Sequence, residues 1–155
     1  MANSSSRSPD PELRWSNVGR LLLLAFDSFE QHVVRGIRAA GFEDFTPAFG
    51  SALRNIDLEG SRITTVARRA HMTKQGMSQL LKELERRGYV EFAPDPTDGR
   101  AKIVRLTGKG TDLIAAGQAR FLALEEEWRE YLGDQEYKQL KELLRRLADW
   151  EDGGG

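Results

Sequence analysis

The sequence predicts a mainly α-helical fold with a small β-hairpin, an α+β arrangement in which a helix-turn-helix leads into a charged wing. Three observations predict it. Apolar residues recur at helical spacing through most of the chain. Residues 63–107, ITTVARRAHMTKQGMSQLLKELERRGYVEFAPDPTDGRAKIVRLT, break that pattern with two short β-type runs around a loop rich in Pro, Asp and Gly. Long stretches before and after this unit carry wider apolar stripes than its own core can cover.

In chain order, residues 1–11 are rich in serine and proline and lack an apolar core, so they read as a disordered tail and not as a signal peptide. A first helix is expected over Leu13–Ala40, with Trp15, Val18, Leu21, Leu22, Phe26, Phe29, Val33 and Ile37 in one stripe. A second, Thr46–Asp57, begins on a threonine cap followed by Pro47. The third, Arg62–Ala70, places Ile63, Val66, Ala67 and Ala70 on one face. A turn follows at His71-Met72, where histidine tolerates left-handed geometry better than most residues. Thr73 then suits an N-cap, and Met72 and Met77 are spaced as a hydrophobic staple.

The fourth helix, Lys74–Arg87, buries Met77, Leu80, Leu81 and Leu84 and stops at Gly88. Tyr89–Phe92 and Lys102–Leu106 are the hairpin strands, with Val104 and Leu106 pointing one way. The loop between them runs from Pro94 to Arg100, and Asp98-Gly99 is the expected turn, projecting Arg100. A fifth helix runs from Thr107 to Leu132, exposing Leu113, Phe121, Leu124 and Trp128. Gly133 breaks it, and Asp134 is expected to cap a sixth helix aligning Tyr137, Leu140, Leu143, Leu144, Leu147 and Trp150. Residues 151–155 read as a flexible tail.

The outer face of the fourth helix carries Lys74, Gln75, Ser78, Gln79 and Lys82, with no acid before Glu83. Lysine can donate to guanine, glutamine can pair bidentately with adenine, and serine can contact either. An arginine at the hairpin tip suits a narrow minor groove, where the potential is most negative. Thr73, Lys74, Gln75, Ser78, Gln79, Lys82, Asp98, Arg100 and Lys102 form the candidate DNA-binding set, with Asp98 restraining Arg100. Net charge is only −1, but residues 61–110 hold eleven Lys and Arg against five Asp and Glu. The remainder holds twelve against nineteen, so one region attracts phosphates and the other repels them. A protein-docking module of the same shape is the alternative; it would show aromatics or leucines on that face.

These residues resemble the MarR (multiple antibiotic resistance regulator) family of winged helix-turn-helix transcriptional regulators. The resemblance rests on Leu81, Leu84, Glu85, Arg87, Gly88, Tyr89 and Val90 at the close of the recognition helix. It rests equally on the wing pattern PDPTDGRAKIVRLTGKG from Pro94 to Gly110, in which Asp98, Arg100, Leu106, Thr107 and Gly110 fall at the family's spacing. The resemblance implies a dimerisation helix and connection over 12–45, a winged helix-turn-helix over 46–110 and C-terminal dimerisation helices over 111–150. It also implies a homodimeric repressor on a pseudo-palindromic double-stranded operator, released by a small aromatic or amphipathic effector. Trp15, His32, Phe42, Phe45 and Phe49 could line the effector cleft, although core packing is the simpler account of each. The terminal apolar stripes fit the dimer independently, since a monomer would leave them in water.

Other classes find little support. Without cysteine there is no disulfide, thiol switch or thiolate metal site. Two histidines, His32 and His71, do not build a metal centre, and the carboxylates sit in surface runs such as Glu125-Glu126-Glu127. No catalytic residues, cofactor or metal are expected. The longest apolar run, near Leu21–Phe26, is too short to span a bilayer, which points to a cytoplasmic protein with no membrane partner.

Overall fold

The computed structural model describes residues 15–150, apart from the side chains of Gly99 and Arg100; the tails expected at 1–11 and 151–155 lie outside the described residues. Helix α1 spans Val18–Ala39 and α2 spans Pro47–Leu53. Strand β1, Ser61–Arg62, leads into α3, Ile63–Arg69, and then α4, Lys74–Arg86. The wing is β2, Val90–Asp95, and β3, Asp98–Leu106, followed by α5, Gly108–Leu132, and α6, Asp134–Ala148. The three strands form one antiparallel sheet in the order β1-β3-β2.

Local chemistry explains most boundaries. Trp15 and Ser16 are helical, but the single helix expected from Leu13 is interrupted at Asn17. The Asn17 side-chain Oδ1 accepts from the Arg20 N–H at 2.9 Å and starts α1 afresh, since short polar side chains compete with the helical ladder. Thr46 caps α2 as expected, but α2 ends at Leu53, well before Asp57. There the bonds tighten to three-residue spacing, Asn55 N–H to Ala52 O at 3.1 Å and Ile56 N–H to Leu53 O at 3.2 Å. Strand β1 was not legible, being two residues long and paired only through Ser61–Val104 and Arg62–Ile103.

The helix-turn-helix follows the sequence closely. His71 takes φ 52°, the left-handed turn geometry expected of it. Thr73 Oγ1 accepts from the Gly76 N–H at 3.1 Å. Met77 is fully buried while Met72 stays 37% exposed, so the staple is closed on one side only. Gly88, at φ 78°, lets the Tyr89 N–H turn back to Leu84 O at 2.9 Å.

The wing differs from the expected loop. The turn is Pro96-Thr97, not Asp98-Gly99, and Pro94 and Asp95 belong to β2. Asp95 Oδ1 accepts from both the N–H and the hydroxyl of Thr97, at 2.8 and 2.7 Å, which closes the chain earlier. Pairing then passes from Pro94–Lys102 to Asp95–Asp98, leaving Gly99, Arg100 and Ala101 as extra residues on β3, a bulge.

The core centres on Leu53, Val66, Met77, Leu81, Leu84, Tyr89, Val90 and Val104, all nearly free of solvent. Leu113 and Leu124, expected to be exposed on α5, are buried because α5 packs along α1. Gly133, at φ 93°, precedes α6; Asp134 is the first residue of that helix and not its cap. Its carboxylate lies where the helix dipole favours a negative charge, 3.7 Å from Arg129 Nε. The first half of α1 is bare: Val18, Leu21, Leu22, Leu23, Leu24 and Phe26 are each 43–65% exposed. Leu143, Leu144, Leu147 and Trp150 are similarly uncovered. Among the described residues no helix is long and apolar enough to cross a membrane.

Gly110 is where α5 meets the end of the recognition unit. A Cβ there would stand 2.1 Å from the backbone oxygen of Tyr89, which cannot rotate away. Gly110→Ala should therefore destabilise by about 1–3 kcal/mol or more, as overpacking does. Urea denaturation checks this; an unchanged midpoint would refute the close approach.

Candidate nucleic-acid interface

Helix α4 presents Lys74, Gln75, Gln79 and Lys82 to solvent, with Ser78 half-buried beside them. Among the described residues their side chains are tied up in no ion pair. Thr73 stands at the head of this face and uses its oxygen as the cap. On the wing, Lys102 is exposed opposite Pro94, and half-exposed Asp98 lies 3.8 Å from Arg62 Nη2. The Arg100 side chain, and with it the expected restraint by Asp98, lies outside the described residues.

The far end of α4 is clamped. Glu83 accepts from Arg86 Nε and Nη2 at 2.9 and 2.6 Å and from Arg87 Nε at 2.5 Å. These bonds, Arg86 first, hold its carboxyl at about 2. Arg87 also donates from Nη1 to Asp44 Oδ2 at 2.8 Å, and its guanidinium lies 5.2 Å from the Phe49 ring centre. Tyr89 donates its hydroxyl to Asp44 Oδ1 at 2.5 Å; burial, reinforced by that carboxylate, pushes the phenol up to about 12. Lys109 Nζ sits 4.2 Å above the Tyr89 ring and donates to Arg87 O at 2.9 Å.

A second anchor holds the wing. Arg62, the residue before α3, donates from Nε to Asp95 Oδ2 at 2.6 Å, and the Asp95 side chain is only 6% exposed. The Thr97 hydroxyl and N–H, together with Arg62, bring the Asp95 carboxyl from 3.8 to about 2. Sequence reasoning missed the Arg62–Asp95 anchor; the restraint it expected, of Arg100 by Asp98, lies outside the described residues. The available signal was Asp95 two residues before Thr97, a spacing that forms a side-chain-closed turn.

A cavity of about 190 Å³ lies between α1, α2 and α5. Phe26, Phe29, Val33, Ile37, Phe45, Leu53, Leu113 and Phe121 give it apolar walls, and Glu30, Arg54 and Gln118 are its polar members. Of the five residues expected in an effector cleft only Phe45 lines it. Phe42 and Phe49 instead pack on the Tyr89 ring, at 6.3 and 6.2 Å between centres. His32 Nδ1 bonds to Ser28 O at 2.7 Å within its own helix. Trp15 is 59% exposed, with the Arg20 guanidinium 5.6 Å from its ring. The α1 positions were legible only as a stripe at helical spacing, which cannot separate a cavity wall from core.

A helix-turn-helix followed by a three-stranded wing defines a winged helix-turn-helix fold. Residues 44–101 match the model of the MarR family. The chain is 28% identical over 122 residues to the transcriptional regulator HosA of Escherichia coli O111:H-, covering 78% of this chain and 89% of that relative. CouR from Rhodococcus jostii RHA1 bound to p-coumaroyl-CoA shares the fold, with TM-score 0.68, 24% identity and coverage of 90% of this chain and 96% of that one. So does an S. aureus MepR mutant bound to an oligodeoxyribonucleotide, with TM-score 0.58, 23% identity and coverage of 85% and 96%. Over residues 44–101, the helix-turn-helix and most of the wing, the chain is thus similar to the MarR family.

Because the Asp95 carboxyl is lowered on folding, its stabilisation is present above its ordinary value of 3.8 and is lost as pH falls toward about 2. Glu83 behaves in the same sense, so the two are separated by substitution. Asp95→Asn should lower stability at neutral pH and flatten the acid side of the stability profile between about pH 4 and 2. Thermal unfolding of wild type and variant across that range is the check, and parallel profiles would show that Arg62 and Thr97 do not stabilise the charged form.

Proposed function

We propose that the chain is a homodimeric DNA-binding repressor in the cytoplasm, reading a pseudo-palindromic duplex with one α4 per half-site and released by a small amphipathic effector. The observation that carries this reading is the face of α4. Its Lys and Gln side chains are solvent-facing with Ser78 half-buried beside them, and among the described residues none is in an ion pair, while the neighbouring cations Arg86 and Arg87 are held by Glu83. A protein-docking module would need apolar anchors at those positions, and this face offers none. Thr73 and Lys74 at the helix start, with Gln75, Ser78 and Gln79, supply base and sugar contacts, and Lys82 supplies a phosphate contact. Asp98, Arg100 and Lys102 serve the wing. The bound forms of the MepR mutant and of CouR support the duplex and effector partners respectively.

The bare apolar faces of α1 and α6 support the dimer, since patches of this extent are rarely left in water. In this organisation residues 12–45 and 111–150 form the dimer and 46–110 bind DNA. The cavity beside Phe45 takes the effector, and binding, not catalysis, is the activity. Footprinting of the purified protein on the DNA upstream of its own gene is the direct test. Protection of two symmetric half-sites about 10 base pairs apart would support the reading. A folded monomer at micromolar concentration in sedimentation would overturn the dimer.

Gln75→Ala and Ser78→Ala should each cost about 1–3 kcal/mol of discrimination between operator and random duplex. Lys82→Ala should weaken both duplexes alike, as loss of a phosphate contact does. Arg100→Ala should weaken binding and lower the slope of log affinity against log salt by about 0.9 if it covers one phosphate. Fluorescence anisotropy on both duplexes decides; equal losses on both for Gln75→Ala would reassign that residue to the backbone.

A further inference from the structure

A cavity-wall residue and the residue that clamps the recognition helix are neighbours in the chain. Phe45, 4% exposed, lines the cavity and packs over Gly50, where an added Cβ would lie 3.1 Å from its ring. Its backbone is held on both sides: its N–H donates to Phe42 O at 3.0 Å, and its carbonyl accepts from Arg38 Nε and Nη2 at 3.1 and 2.9 Å. One residue earlier, Asp44 accepts from Arg87 at 2.8 Å and from the Tyr89 hydroxyl at 2.5 Å. Arg87 is the C-terminal cap of α4, and Tyr89 returns its N–H to Leu84 O inside that helix. Both bonds to Asp44 are short and charge-assisted, so a shift of about 1 Å in its carboxylate would take them outside bonding distance.

We propose that Asp44 is a positioning residue that couples occupancy of the cavity between α1, α2 and α5 to the orientation of the recognition helix. An occupant that needs more room than Phe45 leaves binds better when that ring is displaced, and only such differential binding can shift the protein. Displacing Phe45 draws Asp44 away from Arg87 and Tyr89 and loosens the last turn of α4. The coupling rests on the proposed reading of α4 as a DNA-reading helix under effector control, and adds the route between the two sites. Coupling of this kind changes affinity by about 5–150-fold.

The test fills the cavity covalently, so no ligand need be known. A Cβ added at Gly117, on the cavity wall, meets only Ile37 Cδ1 at 3.5 Å, so Gly117→Leu directs a side chain into the space; Ile114→Phe is a second filler if the first does not fold. Each is combined with Asp44→Asn and with Tyr89→Phe in a double-mutant cycle. Hydrogen exchange of the Arg87 and Tyr89 amides is measured on the free protein, and affinity on a duplex selected by the wild type. In the wild-type background the fillers should speed exchange about tenfold or more and weaken the duplex within the coupling range above. With Asp44→Asn or Tyr89→Phe, the same fillers should change either quantity less than about twofold. Fillers that act additively with Asp44→Asn, or leave exchange of these amides unchanged, would overturn the relay. A merely structural Asp44 predicts the additive result. Failure of the wild type to select any duplex would count against the DNA-binding reading alone, because exchange still decides the relay.

Discussion

Tyr89 is fully buried and yet every polar atom it carries is engaged. Its hydroxyl donates to Asp44, its N–H to Leu84 O, and its carbonyl accepts from Thr107 N–H at 3.1 Å. Its ring contacts Phe42 and Phe49 and lies under the Lys109 ammonium. One residue, through its backbone and its side chain, thus joins the recognition helix, the wing, the start of α5 and the connection between α1 and α2. A buried phenol without an acceptor would be costly, so the position of Asp44 is a condition of the fold and not an ornament of it. Gly110 follows from the same constraint, because only a residue lacking Cβ can pass so near the Tyr89 carbonyl.

The basic bias of residues 61–110 divides into two uses once partners are assigned. Arg62, Arg69, Arg86 and Arg87 are spent on Asp95, Asp57, Glu83 and Asp44, and Arg105 and Lys109 donate to backbone carbonyls. These cations set the angle of the wing and the seating of α4. Lys74 and Lys82 keep their charge toward solvent. On the proposed reading, a phosphate backbone would meet cations that need not abandon a carboxylate first, held on a helix that other cations keep in place.

The apolar surface is divided in the same way. The second half of α1 enters the core through Val33 and Ile37, while its first half faces outward, as does the end of α6. Between the buried and bare regions lies the cavity, walled by α1, α2 and α5. Its position next to the Asp44 clamp makes packing changes there a direct perturbation of the recognition helix.

By itself the sequence determined what depends on neighbours within a turn or two. Helix phase, the caps at Thr46 and Thr73, the left-handed His71 and the stop at Gly88 follow from local hydrogen bonding and dihedral preference, and all are found. The polar face of α4 was legible for the same reason, since 3.6-residue periodicity separates Lys74, Gln75 and Lys82 from Met77, Leu81 and Leu84. Only the tertiary structure decided which charges meet. Arg62 and Asp95 are 33 residues apart, and Asp44 and Tyr89 are 45 apart. No periodicity marks such pairs, and the folding of the core alone brings them within bonding distance. The wing turn moved to Pro96-Thr97 because Asp95, held by Arg62, accepts from Thr97. Of the residues expected in an effector cleft only Phe45 lines this cavity, because a stripe at helical spacing specifies the buried face but not the gap left when three helices pack.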